Sequence, residues 1–220
     1  METCELHIAP VGLSGTLNIP VDAHAVVAFV HGSGSSRFSV RNRAVAEALN
    51  ANGIATLLFD LLTANEEADR RNVFDIALLA ERLVDAVRTL KAARGVADLP
   101  LGLFGASTGA AAALVVAAAL GPVVGAVVSR GGRPDLAMGV LDRVQAPTLL
   151  IVGSADTEVV ALNEQALAKL KGPKAIEIIP GASHLFPEPG ALDAVIEHAV
   201  LWFARYLVAG SSSSIPPTRH

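Results

Sequence analysis

Residues 101–128, LGLFGASTGAAAALVVAAALGPVVGAVV, pass through 28 positions without one charged side chain. A run of that length could cross a bilayer, which needs roughly 20 apolar residues. It is broken, however, by Gly102, Gly105, Ser107, Thr108, Gly109, Gly121 and Pro122, which suit turns between short elements better than one long helix. The segment reads as a strand at 101–104, a sharp turn, a helix at 108–119, a loop and a strand at 123–128. Strands that lack polar alternation are covered on both faces, and this points to a parallel sheet with helices on each side.

The rest of the chain repeats that alternation. AVVAFV (25–30), IATLLFD (54–60), TLLIV (148–152) and AIEII (175–179) are apolar runs of strand length. Helices are predicted over about 40–51, with Ser39 as cap and Gly53 as stop, and over about 73–93 and 190–208. In the second of these Ile76, Leu79, Leu83, Val87 and Leu90 share one face, and in the third Leu192, Val195, Ile196, Ala199, Phe203 and Leu207 do. A short helix is expected around 135–142, and Leu162, Ala166 and Leu170 mark another that ends near Gly172. Residues 63–71 read as a polar loop, and 5–9 and 13–18 as an antiparallel pair of strands. The fold class is therefore α/β: a mostly parallel central sheet of about eight strands with helices on both faces. One domain is expected over 1–209, followed by a disordered, low-complexity tail, GSSSSIPPTRH, at 210–220.

With 17 Lys and Arg against 21 acidic residues, the formal charge is −4, and no basic, aromatic-laced surface suggests a nucleic-acid partner. The single Cys4 has no internal partner and METCELHIAPVG is no signal peptide, so a cytoplasmic location is expected, with no membrane partner.

GASTG (105–109) has G-x-S-x-G spacing after an apolar strand and before a helix. A strand-to-helix reversal that sharp needs small neighbours, and it holds the Ser107 hydroxyl in the open beside the helix's first N–H groups. A serine nucleophile needs a base. Of six histidines, His184 lies in a loop between the last strand and the last helix, where it can return over the sheet edge. His198 falls inside a helix, His7 and His24 lie on the edge hairpin and its turn, and His220 lies in the tail. Asp156 follows TLLIV and is the expected orienting acid, with Glu158 as its competitor. The chain order nucleophile, acid, base separates this arrangement from two other serine-protease orders. HGSGSS (31–36) follows AVVAFV, so the Ser33 N–H is expected to form an oxyanion hole with the Thr108 N–H. His31 is read as bracing that loop. The loop lacks G-x-x-x-x-G-K-[ST] and G-x-G-x-x-G, so neither a phosphate loop nor a dinucleotide site is expected. All four segments follow strands, at the edge where open α/β sheets bind ligands.

On HGSGSS (31–36), FDLL (59–62), GASTG (105–109), SRGGRPD (129–135), PTLLIVGSAD (147–156) and PGASHLF (180–186), the chain over about 24–208 resembles the α/β-hydrolase superfamily. Within it, the chain is similar to the small dienelactone-hydrolase-like proteins. The resemblance implies an α/β-hydrolase fold and a hydrolase that works through an acyl-enzyme on small esters, thioesters or lactones. Acyl transfer, C–C bond hydrolysis, or a non-catalytic binding role on the same fold are the alternatives. Dienelactone hydrolases proper use a cysteine nucleophile, whereas this position is Ser107. Only about 18 residues join the strand before Ser129 to the strand after Pro147, so no cap domain and a shallow, open site are expected. The implied chemistry needs no metal or other cofactor.

Arg130 and Arg133 follow VVGAVV, and Arg37, Arg41 and Arg43 follow the oxyanion loop. With only 17% of residues charged, five arginines beside the site suggest an anionic group on the substrate, held chiefly by Arg130. The resemblance agrees, because dienelactone hydrolases recognise a substrate carboxylate with arginines. The competing expectation pairs Arg130 and Arg133 with Asp135 or Asp142.

Overall fold

The charge-free runs become strands sealed on both faces. A computed structural model describes residues 1–208, with strands β1 (Glu2–Ile8), β2 (Leu13–Ile19), β3 (Ala25–Val30), β4 (Ile54–Phe59), β5 (Leu101–Ala106), β6 (Val124–Arg130), β7 (Thr148–Gly153) and β8 (Lys174–Ile179). They form one sheet in the order β1-β2-β4-β3-β5-β6-β7-β8. β2 is antiparallel to both β1 and β4, and every other neighbouring pair is parallel. The predicted tail at 210–220 lies outside the described residues.

Alternate side chains of each strand feed two separate cores. Val26, Ala28 and Val30 of β3, Leu103 of β5, Val127 of β6 and Leu150 of β7 pack toward α3 (Ile76–Ala92), α4 (Thr108–Leu120) and α5 (Thr157–Lys169). Val27, Phe29, Phe104, Val128 and Ile151 face the other way, toward α1 (Val40–Ala51) and α6 (Ala191–Tyr206). Because both sides are helix-covered, the strands need no polar face, and this explains the apolar runs. Within α6 the predicted stripe faces the sheet, with Val195, Ala199 and Phe203 fully buried. Phe203 lies directly on Gly102, where a Cβ would come within 2.7 Å of its ring.

Four local expectations change. The helix expected from 73 begins at Ile76, because the Asp75 carboxylate accepts the Leu78 N–H at 3.0 Å and caps it there. Before it, the loop read at 63–71 contains the short helix α2 (Ala64–Glu67), and Asn72–Phe74 form a 3-10 turn. The helix expected at 135–142 splits into two 3-10 turns, Pro134–Ala137 and Leu141–Arg143, with Gly139 between them. No cap domain is inserted between β6 and β7. Finally, β6 runs two residues past Val128, since Arg130 pairs with Ala106 on one side and Ile151 on the other. Arg130 is thus a strand residue and no part of a loop. The 28-residue apolar stretch divides into β5, α4 and β6, and among the described residues no helix is long and apolar enough to cross a membrane.

Truncating Phe203 removes a fully buried ring from the layer between α6 and the sheet. Phe203→Ala should lower stability by about 3–5 kcal/mol in urea unfolding, the range for aromatic-to-alanine core cavities.

Candidate active site

The turn after β5 is held by backbone contact. Ser107 takes φ 50° and ψ −122°, a conformation that L-residues rarely adopt and that neighbouring structure must enforce. Gly105 and Gly109 allow the enforcement. A Cβ on Gly105 would lie 2.4 Å from the Ala110 Cα, and one on Gly109 would lie 2.2 Å from the Val30 carbonyl oxygen. The Ser107 N–H donates to the Arg130 carbonyl at 3.2 Å, and the Arg133 N–H donates to the Ser107 carbonyl at 3.1 Å. Ser107 is therefore fastened to β3 on one side and β6 on the other.

Asp156 and His184 come from different loops and meet. Asp156 follows β7 at the N-terminal cap of α5, and its Oδ2 lies 2.7 Å from His184 Nδ1. A carboxylate can only accept, so Nδ1 carries the proton and Nε2 is left as the basic nitrogen. The two loops are laced together: Ala155 N–H donates to the Ala182 carbonyl at 2.9 Å, and Gly181 N–H to Ser154 Oγ at 2.7 Å. A Cβ on Gly153 would lie 2.2 Å from the Ala182 carbonyl oxygen, so the loops approach as backbone. His184 reaches β6 as well, since a Cβ on Gly131 would lie 3.0 Å from its carbonyl oxygen and 3.6 Å from its Cε1. Glu158, the competing acid, is exposed on the first turn of α5 and bonds to no histidine.

Ser33 and Thr108 also converge. The Ser33 N–H donates to Thr108 Oγ1 at 3.1 Å, and Thr108 is buried as the first residue of α4, where its own N–H has no helical partner. A Cβ on Gly32 would lie 2.9 Å from the Ser107 Cβ, so the HGSGSS loop abuts Ser107. His31 braces it. Nδ1 lies 3.0 Å from the Gly32 carbonyl and must carry the proton, while Nε2 accepts the Leu61 N–H at 3.1 Å. Burial holds its pKa below the ordinary histidine value, against the opposing bond to Gly32. Asp60 clamps the same loop further on, accepting the Arg37 N–H at 2.9 Å and pairing with the Arg37 guanidinium.

The five arginines separate. Arg133 donates two hydrogen bonds to the Asp135 carboxylate, with both N···O distances 2.8 Å, and Arg37 is taken by Asp60. Among the described residues, Arg130 has no acidic partner. It is 8% exposed, its Nη2 makes one long 3.4 Å contact to Asn42 Oδ1, and Nε and Nη1 are buried without a partner. Burial, with added repulsion from Arg41, brings its pKa down to about 10, so it stays charged at neutral pH.

Three supporting residues escaped the sequence reading. Phe186 sits at φ 55° with its ring 2% exposed, turning the chain immediately after His184. Glu188 accepts the Ser183 N–H at 3.1 Å and fixes the same turn. Asn163 of α5, fully buried, donates to the Gly132 carbonyl at 3.0 Å and so ties the helix after Asp156 to the loop after Arg130. The E-P-G sequence at 188–190 hinted at a turn; nothing in the sequence marked Phe186 or Asn163.

Residues 13–205 match the dienelactone hydrolase family model. A dienelactone hydrolase from Anabaena variabilis, known from its crystal structure, is 54% identical and superposes with a TM-score of 0.90, covering 94% of this chain and 97% of that one. Est1E of Butyrivibrio proteoclasticus, at 16% identity, shares the fold with a TM-score of 0.76 over 93% of this chain and 98% of its own. A Mycobacterium tuberculosis protein that carries a phosphoribosyl transferase name is 53% identical over 206 residues. That match covers 94% of this chain but 46% of the relative, so the chain spans about half the relative's length.

His31 gives a pH test of the loop. Its folded pKa lies below the ordinary 6.5, so below that value the unfolded chain binds a proton that the folded chain refuses. Its contribution is fully present above pH 6.5 and drains as pH falls through the folded value. Urea unfolding between pH 8 and 5 should show this loss with a slope of at most about 1.4 kcal/mol per pH unit, and His31→Gln should remove that component.

Proposed function

Because the chain belongs to the dienelactone hydrolase family, we propose that it is a serine hydrolase cleaving small carboxylic esters, with thioesters and lactones open to the same attack. The observation that carries this reading is the 2.7 Å bond from His184 to Asp156 at the edge where Ser107 is held on its strained turn.

The reaction has two halves. His184 Nε2 takes the Ser107 proton as the hydroxyl oxygen attacks the ester carbonyl, and Asp156 stabilises the resulting imidazolium. The oxyanion accepts from the Thr108 N–H and from the Ser33 N–H, displacing Thr108 Oγ1 from the latter. His184 returns the proton to the leaving alcohol, and water activated by the same nitrogen then releases the acid. Acyl transfer to an alcohol would use the same groups; product analysis with water and an alcohol in competition separates the two.

Arg130 supports an anionic group on the substrate. A buried guanidinium without a carboxylate is costly, and an arriving anion would relieve it through the charge-assisted bonds that arginine favours.

Ser107→Ala should abolish ester turnover and fluorophosphonate labelling while changing stability by less than about 1 kcal/mol, since the side chain supports no packing. Asp156→Asn should lower kcat by about 10⁴, the loss seen where an imidazole forfeits its oriented acceptor. Wild-type turnover in either purified variant contradicts the assignment.

A matched pair of small esters, one with a distal carboxylate and one neutral, tests Arg130. Arg130→Gln should raise KM for the anionic ester by about tenfold or more, the weight of one charge-assisted bond, and leave the neutral ester nearly unchanged. Equal effects on both esters would make Arg130 a structural residue.

A further inference from the structure

The Ser33 N–H, one of the two donors read for the oxyanion, is already engaged: Thr108 Oγ1 accepts it at 3.1 Å. Ser33 is solvent-exposed, whereas Thr108 is buried, so the acceptor comes from inside the protein to a donor that could equally bond water.

The HGSGSS loop does not depend on that bond for its place. His31 fixes its start, with Nδ1 3.0 Å from the Gly32 carbonyl and Nε2 accepting the Leu61 N–H at 3.1 Å. Asp60 fixes its far end by accepting the Arg37 N–H at 2.9 Å. Between these anchors Gly32 packs directly on the Ser107 turn. A Cβ there would lie 2.9 Å from the Ser107 Cβ and 3.1 Å from the Ala106 carbonyl oxygen. Thr108 itself is held as the first residue of α4. Both donors are thus positioned without the Thr108 hydroxyl, whose bond to Ser33 can break and reform while the loop stays in place.

Resting on the hydrolase reading above, we propose that the Thr108 hydroxyl is a built-in competitor for the oxyanion hole, occupying the Ser33 N–H until a charged oxygen arrives. A hydroxyl oxygen and an ester carbonyl are both neutral acceptors, so the bound substrate gains little by exchanging one for the other. The oxyanion carries charge, and a charge-assisted bond is roughly twice as strong as a neutral one. Exchange is therefore favourable only once the Ser107 oxygen has added to the carbonyl carbon. Rotation about the Thr108 Cα–Cβ bond withdraws Oγ1, and threonine divides between two rotamers in helices. The Ser33 N–H then adds nothing to substrate binding and acts in the transition state, so the contact raises KM without lowering kcat. The same competition meets the product carboxylate, which must also expel Oγ1 to reach the Ser33 N–H, and this favours product release.

Thr108→Val keeps the branched shape and the backbone N–H but removes the acceptor. Ethyl esters from acetate to hexanoate serve as substrates, because slow acylation lets KM follow binding, and the matching carboxylates serve as inhibitors. Thr108→Val should lower KM roughly two- to tenfold, the weight of one neutral hydrogen bond, and raise kcat/KM with it. Carboxylate inhibition should tighten by a similar factor. Thr108→Ser restores the hydroxyl and should return KM and the inhibition to the wild-type values. Thermal unfolding verifies that each variant is folded, and Thr108→Ala, which removes the same acceptor, decides the matter if Thr108→Val does not fold. A fall in kcat/KM, an unchanged KM or an unchanged carboxylate inhibition in the folded variant would make the hydroxyl a structural support and overturn the proposal, while Ser107-dependent hydrolysis stands. Failure of the wild-type protein to cleave any ester of the series, or any activated ester, would overturn the hydrolase reading and this proposal with it.

Discussion

Where α4 leaves the sheet, backbone meets backbone with no side chain between. The Val30 and His31 carbonyls approach Gly109 so closely that a Cβ would lie 2.2 and 2.5 Å from them, and Ala110 does the same to Gly105. This approach fixes the Ser107 turn, sets the depth at which α4 packs on the sheet, and brings Thr108 against the Ser33 N–H. A methyl group at either glycine would have to push a strand and a helix apart. The rest of the site is arranged around that fixed point. The HGSGSS loop closes on it from β3, Arg130 carries its hydrogen bond from β6, and the Asp156 and His184 loops lace together over β6 and β7.

Charge in this protein is scarce, and three arginines near the ends of the strands are paired. Arg37 is held by Asp60, Arg82 by Glu66 and Arg133 by Asp135, and each pair fixes a loop at the edge where the strands end. Against that background, a buried arginine whose nearest charged influence is another arginine stands out. Neutral His31 shows the opposite solution to burial: it gives up its charge and serves as a two-ended brace between the Gly32 carbonyl and the Leu61 N–H.

The sheet was legible because its signal is redundant: six apolar runs, separated by helical periodicity, leave few other arrangements. Ser107 was legible because the glycines around it have one physical task, and Asp156 could be preferred to Glu158 because it directly follows a strand. Other features are tertiary and have no local signature. Arg130 looked like a loop residue because glycines follow it, yet pairing with β5 and β7 keeps it in the strand. Residues 63–71 looked like a featureless polar loop, and only the capping pair Thr63 and Glu66 with Arg82, farther along the chain, gives them shape. The left-handed turn at Phe186 contradicts the preference of its own side chain and exists because the buried ring anchors it.

That braced segment between β4 and α3 has an evolutionary meaning. It lies outside the strands and turns that carry Ser107, Asp156 and His184, and its shape rests on the Thr63–Glu66 capping pair and the Arg82 guanidinium. Exposed connections tolerate replacement far better than packed elements do. Mutation can therefore rewrite this segment without moving Ser107, Asp156 and His184, so descendants of this scaffold can drift along this rim while the turn and the two laced loops stay as they are.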